Sequence, residues 1–316
     1  MLSTVFAPKT TACGYRIMNH FSIKDVESLT GIKPHTLRIW EQRYGIPLPQ
    51  RTATNIRYYS DQDIKYLLNV AMLNRQGYKI SKIAKMSKEE AENIILEMTS
   101  NTSDQSIYID SLIKAMFALN EEQFDQTLSA NISSVGIEET FKQVIFPFLH
   151  RIGILWQAGS VNPSYEHFIT HLIRQKLFVA MDEQKKVSHK DTSKFILFLP
   201  PHETHDIGLL FANYLIRARG FHTSYLGPNL PMNDISSVMS IYKADYILTV
   251  LTTAITAQTP LQIANKLTAD FPTTKILIAG SQVPHTHINF PAKVKLLFSL
   301  NDLVYLLDQL KLNQEH

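Results

Sequence analysis

Glu203 and His205 stand two residues apart in a short polar loop, Leu199-Pro-Pro-His-Glu203-Thr-His205-Asp-Ile-Gly208, between an apolar run and an amphipathic one. Imidazole is a common transition-metal ligand, and a neighbouring carboxylate decides which ring nitrogen carries the proton. A second constellation lies upstream, where Trp156 is followed after nine residues by Glu166 and His167. A third set is His35, Thr36, Arg38, Arg43, Tyr44, Arg51, Asn55, Arg57 and Tyr58. Its planar cationic donors, amides and hydroxyls suit contact with phosphates and base edges.

Other chemistries find no support in the chain. His202 with His205, and His285 with His287, are close pairs, but no third ligand stands at helical spacing for a zinc site. No phosphate-binding glycine loop and no nucleophile elbow is present, so the chain is not expected to be an enzyme. The single cysteine, Cys13, rules out a disulfide framework. No window resembles a membrane span and residues 1–20 do not read as a secretory signal, so a cytoplasmic protein is expected.

These side chains need elements to position them. With 316 residues, 45% hydrophobic and 19% charged, the chain has room for two or three domains of about 100–200 residues each. Residues 1–90 carry 14 Lys/Arg against 7 Asp/Glu, and the remainder 17 against 21. The net +3 thus combines a basic first part with an acidic second one, which points to a polyanion partner for the first alone.

A leader is expected over residues 1–19 and a DNA-binding domain over 20–90. Ser22 with Asp25 caps a first helix bearing Ile23, Val26 and Leu29. Gly31 ends it, and Lys33-Pro34 starts a second helix through Tyr44. Pro47–Arg51 and Asn55–Tyr59 read as a two-stranded wing. Asp61-Gln-Asp63 caps a third helix, Ile64–Leu73, and Gln76–Ala84 reads as a fourth. Leu37, Ile39 and Trp40 are expected in the core. The string Thr36-Leu-Arg38-Ile-Trp40-Glu41-Gln-Arg43-Tyr44-Gly45, with Arg51 and Arg57-Tyr58-Tyr59-Ser60, resembles the MerR-family winged helix. The Arg-x-Trp-Glu-x-Arg-Tyr-Gly version is similar to its light- and cobalamin-responsive branch. That resemblance implies double-stranded operator DNA as a partner.

A linker is expected over residues 91–105, and the polar run Thr99–Gln105 is its clearest part. A central four-helix bundle is expected over 106–188, with Leu112, Ala115, Met116 and Leu119 on one stripe and further helices at Gln123–Ala130, Ile137–Trp156 and Ser164–Met181. From 192 to 316, strands alternate with helices, as in a doubly wound, Rossmann-like parallel sheet. Strands are expected at Phe195–Leu199, His222–Leu226, Tyr246–Val250, Lys275–Ala279 and near Val294–Phe298. Helices are expected at Ile207–Arg219, Met232–Tyr242, Pro260–Asp270 and Asp302–Leu310. The fold class is therefore multidomain, α followed by α/β. Ligands of such sheets lie beyond the strand carboxyl ends, where His205, the Leu226–Leu230 loop, Thr252, Thr253, Gly280 and Ser281 should gather.

Glu203-x-His205-x-x-Gly208 resembles the Asp-x-His-x-x-Gly loop of cobalamin-binding domains, and Trp156-x9-Glu166-His167 resembles the signature of the bundle that covers cobalamin in light-sensing regulators. The resemblance implies His205 as the lower axial ligand of cobalt, Glu203 as its orienting carboxylate and Gly208 as the opening for the nucleotide tail. Thr252, Thr253, Gly280 and Ser281 would house that tail; Trp156, Glu166 and His167 would lie on the upper side. Members forming a light-generated adduct carry His after the Trp, whereas this chain has Gln157, which leaves the light step open. The implied protein is a transcriptional regulator, a repressor by analogy, that senses adenosylcobalamin or another cobalamin by changing its homo-oligomeric state, dimer or tetramer. A cofactor-independent regulator acting through protein partners and a corrinoid methyl carrier are the alternatives.

Overall fold

A computed structural model describes residues 21–47, 49–52, 54–87, 90–91, 93–95, 104–157, 162–184, 192–252, 259–283 and 288–313, with only the backbone of 154–157. The chain divides into two compact units, Met1–Glu166 and His167–His316. No described helix is long and apolar enough to cross a membrane.

The first unit opens with helix α1 (Ile23–Thr30), started by the Ser22/Asp25 capping box and closed at Gly31. Helix α2 (Pro34–Tyr44) has proline in its first turn, where a missing N–H costs nothing. The wing is an antiparallel pair, β1 (Gln50–Arg51) and β2 (Arg57–Tyr58). Helix α3 (Asp61–Arg75) is capped by Ser60, with Asp63 closing the box, so the cap lies one residue before the acidic pair expected to supply it. The fourth helix, α4 (Ile80–Ile83), is a single turn, because Gly77 first takes a left-handed turn at φ 89°. Leu37 and Trp40 are buried, as expected, but Ile39 is 45% exposed. Leu37 and Trp40 are three residues apart and share the inner face of α2, which places Ile39 on the outer one.

Helices α5 (Gln105–Ala118), α6 (Glu121–Thr140) and α7 (Phe146–Gln157) follow, with a π-helical turn, Phe141–Ile145, joining α6 to α7. Asp104 caps α5 through the Ser106 N–H, so the helix begins inside the expected linker; residues 96–103, most of that linker, lie outside the described residues, as does the leader. Leu119 leaves the expected stripe. It adopts φ 49° to end α5 and is 56% exposed. A break at Gly136 falls between the two helices expected there. Helix α8 (Pro163–Asp182) begins at the end of the first unit and continues into the second.

The second unit is a five-stranded parallel sheet of β3 (Lys194–Phe198), β4 (His222–Gly227), β5 (Tyr246–Val250), β6 (Lys275–Ala279) and β7 (Val294–Leu297), ordered β4-β3-β5-β6-β7. Its helices are α9 (Ile207–Ala218), α10 (Ile235–Tyr242), α11 (Pro260–Asp270) and α12 (Leu300–Leu312). Ile196, Phe198, Ile247, Ile276 and Ile278 pack with Ile235, Ile263, Ala264 and Leu267 in one core cluster. Phe195 stacks on Tyr246 at 4.7 Å and meets Phe221 at 5.7 Å. The order of the strands reverses between β3 and β5, and a ligand crevice opens at such a switch point.

Candidate functional site

The loop after β3 is built around a completely buried carboxylate. Glu203 Oε1 accepts the backbone N–H of His205 at 3.0 Å and lies 2.8 Å from His205 Nδ1. Its Oε2 accepts the N–H of Thr252, just past β5, at 2.7 Å. One side chain with no exposed surface therefore fixes an exposed imidazole and ties together the two loops that flank the switch point. A buried carboxylate costs several kcal/mol unless its oxygens are satisfied, and these donors do that.

Neighbouring loops hold the arrangement. His202, itself at φ 69°, donates its N–H to Asn229 Oδ1 at 2.9 Å, and the Asn229 N–H returns to the Glu203 carbonyl at 3.2 Å. Asp206 pairs with Arg174 of α8 at 2.8 Å. Asn229 and Arg174 were not foreseen as positioning groups, since their partners lie 27 and 32 residues away. Ser281 Oγ and Gln282 Nε2 donate to the Thr252 carbonyl at 3.1 and 3.2 Å, bringing the β6 loop to the same place. His205, Thr252, Gly280, Ser281 and the β4 loop thus share one end of the sheet.

The two glycines differ in what demands them. A Cβ on Gly280 would stand 2.3 Å from the Leu251 carbonyl oxygen, and its φ of 107° excludes other residues, so the fold itself requires glycine there. A Cβ on Gly208 would meet only Val250 Cγ1, at an ordinary 3.5 Å. The protein's own packing does not require glycine at 208. Thr253, His285 and His287 lie outside the described residues, and only the backbone of Trp156 and Gln157, on α7, is described. Glu166 is half-buried and His167 exposed at the start of α8.

A single imidazole held by a carboxylate at Nδ1 would be a suitable nitrogen donor to a cobalt ion through Nε2. Among the described residues no group of three metal-ligating side chains occurs. That donor set fits a metal carried in by a macrocycle better than a bare ion held by the protein.

On the first unit, His35, Arg38, Arg43, Tyr44, Arg51 and Asn55 are exposed, while Thr36, Arg57 and Tyr58 are half-buried. Arg51 Nη1 donates to Asn55 Oδ1 at 2.8 Å across the wing turn, where Asn55 takes φ 65°. Arg57 faces Glu41 of α2 at 3.4 Å, and Glu41 also accepts the Tyr59 hydroxyl at 2.5 Å. Burial and Glu41 together push the Tyr59 phenol well above its ordinary pKa, so it stays a donor. Arg57, expected purely as a DNA contact, therefore also fastens the wing to α2.

Residues 21–90 match the family model of the MerR HTH family regulatory protein, and residues 108–180 match that of the B12 binding domain. The HTH-type transcriptional repressor CarH of Myxococcus xanthus is 24% identical over 233 residues, covering 72% of this chain and 77% of the relative. CarA of the same organism, also an HTH-type transcriptional repressor, is 24% identical over 211 residues, covering 66% and 68%. The monomethylamine corrinoid protein of Methanosarcina barkeri superposes with a TM-score of 0.52 at 15% identity, over 64% of this chain and 98% of that one, a likeness of fold. The chain joins a MerR-type helix-turn-helix domain to a B12-binding domain and is homologous to the repressors CarH and CarA.

Proposed function

We propose that this chain is a DNA-binding transcriptional regulator that senses a cobalamin, taken up as adenosylcobalamin in the cytoplasm, and represses its operator as a homo-oligomer. The observation that carries the reading is Glu203, buried and holding both His205 and Thr252 at the switch point of the sheet. When bound, the corrinoid supplies a cobalt centre whose axial ligands can be exchanged.

His205 would give Nε2 to that centre, with its Nδ1–H donated to Glu203. Gly208 would leave room for the nucleotide tail beside the start of α9, and Thr252, Thr253 and Ser281 would offer polar partners to it. Trp156, Glu166 and His167 would cover the opposite side. Exposed Arg38, Arg43 and Arg51 would meet phosphates and base edges, with His35, Thr36, Tyr44, Asn55, Arg57 and Tyr58 setting register. Assembly of several copies would multiply weak single-domain contacts into tight operator binding.

Purification in the dark with adenosylcobalamin tests this reading. It predicts a coloured complex that co-elutes with the protein, a change in oligomer mass and tighter operator binding. A colourless protein of unchanged mass would refute it. A coloured complex that ignores illumination would make the protein a sensor of cobalamin and not of light.

A further inference from the structure

Within the first unit, the winged helix is fastened to the helices that follow it at two places that the proposed function leaves unused. At one, the fully buried Asp110 of α5 pairs with Arg75, the last residue of α3, and with Arg151 of α7, the latter at 2.9 Å. Arg151 Nε also donates to the carbonyl of Ser28 on α1 at 3.3 Å. Burial lowers the pKa of both arginines from the ordinary value. The pairing holds because Asp110, alone of the three in having no exposed surface, would be a costly uncompensated charge without a cation beside it.

At the other, Tyr165 in the first turn of α8 lies edge-on to Phe117 of α5 at 5.4 Å, and Phe117 lies edge-on to Phe21, also at 5.4 Å. Phe21 exchanges backbone hydrogen bonds of 2.9 Å with Tyr59 at the end of the wing, and Tyr59 holds Glu41 of α2. The Tyr165 hydroxyl is hydrogen-bonded to Asp61, the first residue of α3. Tyr165 directly precedes Glu166 and His167 in the chain.

We infer that Tyr165 is the coupling residue of the regulator, linking the start of α8 to α3 and the wing, while the Asp110 clasp holds the other end of the winged helix in place. The inference rests on the proposed cobalamin reading, because it is there that Glu166 and His167 meet the ligand. Chains of packed and hydrogen-bonded groups can carry energetic coupling between sites, and the contacts from Tyr165 to Glu41 form one. Tyr165 is a positioning residue; it need not touch the ligand.

The test uses full-length Tyr165→Phe, which keeps the ring and removes only the hydroxyl, with Phe117→Leu as a second variant that breaks the stack. Operator affinity is measured in the dark with and without adenosylcobalamin, and corrinoid affinity by absorbance titration. The expected result is corrinoid affinity within about twofold of wild type and a ratio of operator affinities reduced by about fivefold or more. A wild-type ratio in both variants would overturn the coupling role. A loss of corrinoid affinity of about tenfold would overturn it too, by placing Tyr165 in the ligand site. If the wild-type protein binds its operator equally with and without corrinoid, the functional reading itself fails, an outcome visible before any variant is made.

Discussion

Glu203→Gln removes one charge and leaves the volume of the side chain almost unchanged, so its effect reports on the charge and its hydrogen bonds and not on packing. Glu203 accepts from the N–H and Nδ1 of His205 through one oxygen and from the Thr252 N–H through the other. A glutamine offers one acceptor and one NH2 group. With its oxygen toward His205, the NH2 faces the Thr252 N–H, and two donors meet at a buried position. With the amide reversed, the NH2 faces the His205 N–H, and the imidazole must turn Nδ1 into an acceptor and carry its proton on Nε2, which stops it from ligating. Either way one donor is orphaned, at about 1–3 kcal/mol, and charge-assisted bonds are weakened to neutral ones. The expected loss is about 2–4 kcal/mol in the second unit, or roughly 5–15 °C in melting temperature. Corrinoid affinity should fall about 10–100-fold, as for other groups that orient a metal ligand. Thermal unfolding without ligand and absorbance titration with it measure the two effects separately. A variant with wild-type melting and corrinoid affinity within twofold would refute the role given to Glu203.

Gly280→Ala should destabilise the protein whether or not corrinoid is present, by about 3 kcal/mol or more, since the new Cβ would overlap the Leu251 carbonyl oxygen at a φ of 107°. Circular dichroism melting of the ligand-free protein checks it, and an unchanged melt would contradict the packing of that turn. Arg38→Ala should weaken operator binding and lower the slope of log affinity against log salt by about 0.9, with no change in melting. Arg57→Ala should also lower the melting temperature, because it takes from Glu41, whose side chain is 8% exposed, its facing cation. Equal melting of the two variants would sink the structural part of the Arg57 role.

The strands of the second unit were legible within a residue, and three of them, β3, β5 and β6, because each is a short, largely apolar run. Phe195–Leu199 in the sequence reading became Lys194–Phe198 in the fold, and Lys275–Ala279 did not move. The polar loop bearing Glu203 and His205 stood out for the same reason, being the interruption between two such runs. What could not be read was distance. The bond from Glu203 to Thr252 spans 49 residues, and no local pattern encodes it. Asp110 left a usable signal, a lone acid inside Ile107-Tyr-Ile-Asp110-Ser-Leu-Ile, where a buried charge must find a cation. Its partners, 35 and 41 residues away, left none. Ile39 was misread because an isoleucine beside a core tryptophan suggests core, whereas the helical period turns it outward, toward the face that carries Arg38 and Arg43. Exposed apolar side chains on such a face suit contact with a thymine methyl group.

The sharpest question is whether His205 supplies the nitrogen that ligates cobalt. Electron paramagnetic resonance of cob(II)alamin bound to uniformly nitrogen-15-labelled protein answers it, because the bound nitrogen splits the cobalt lines according to its nuclear spin. A protein imidazole predicts that labelling converts the triplet splitting to a doublet, and that the doublet is lost in equally labelled His205→Ala. A triplet that survives labelling would mean that the nitrogen comes from the cofactor's own base, and would contradict the assignment of His205 as the lower ligand.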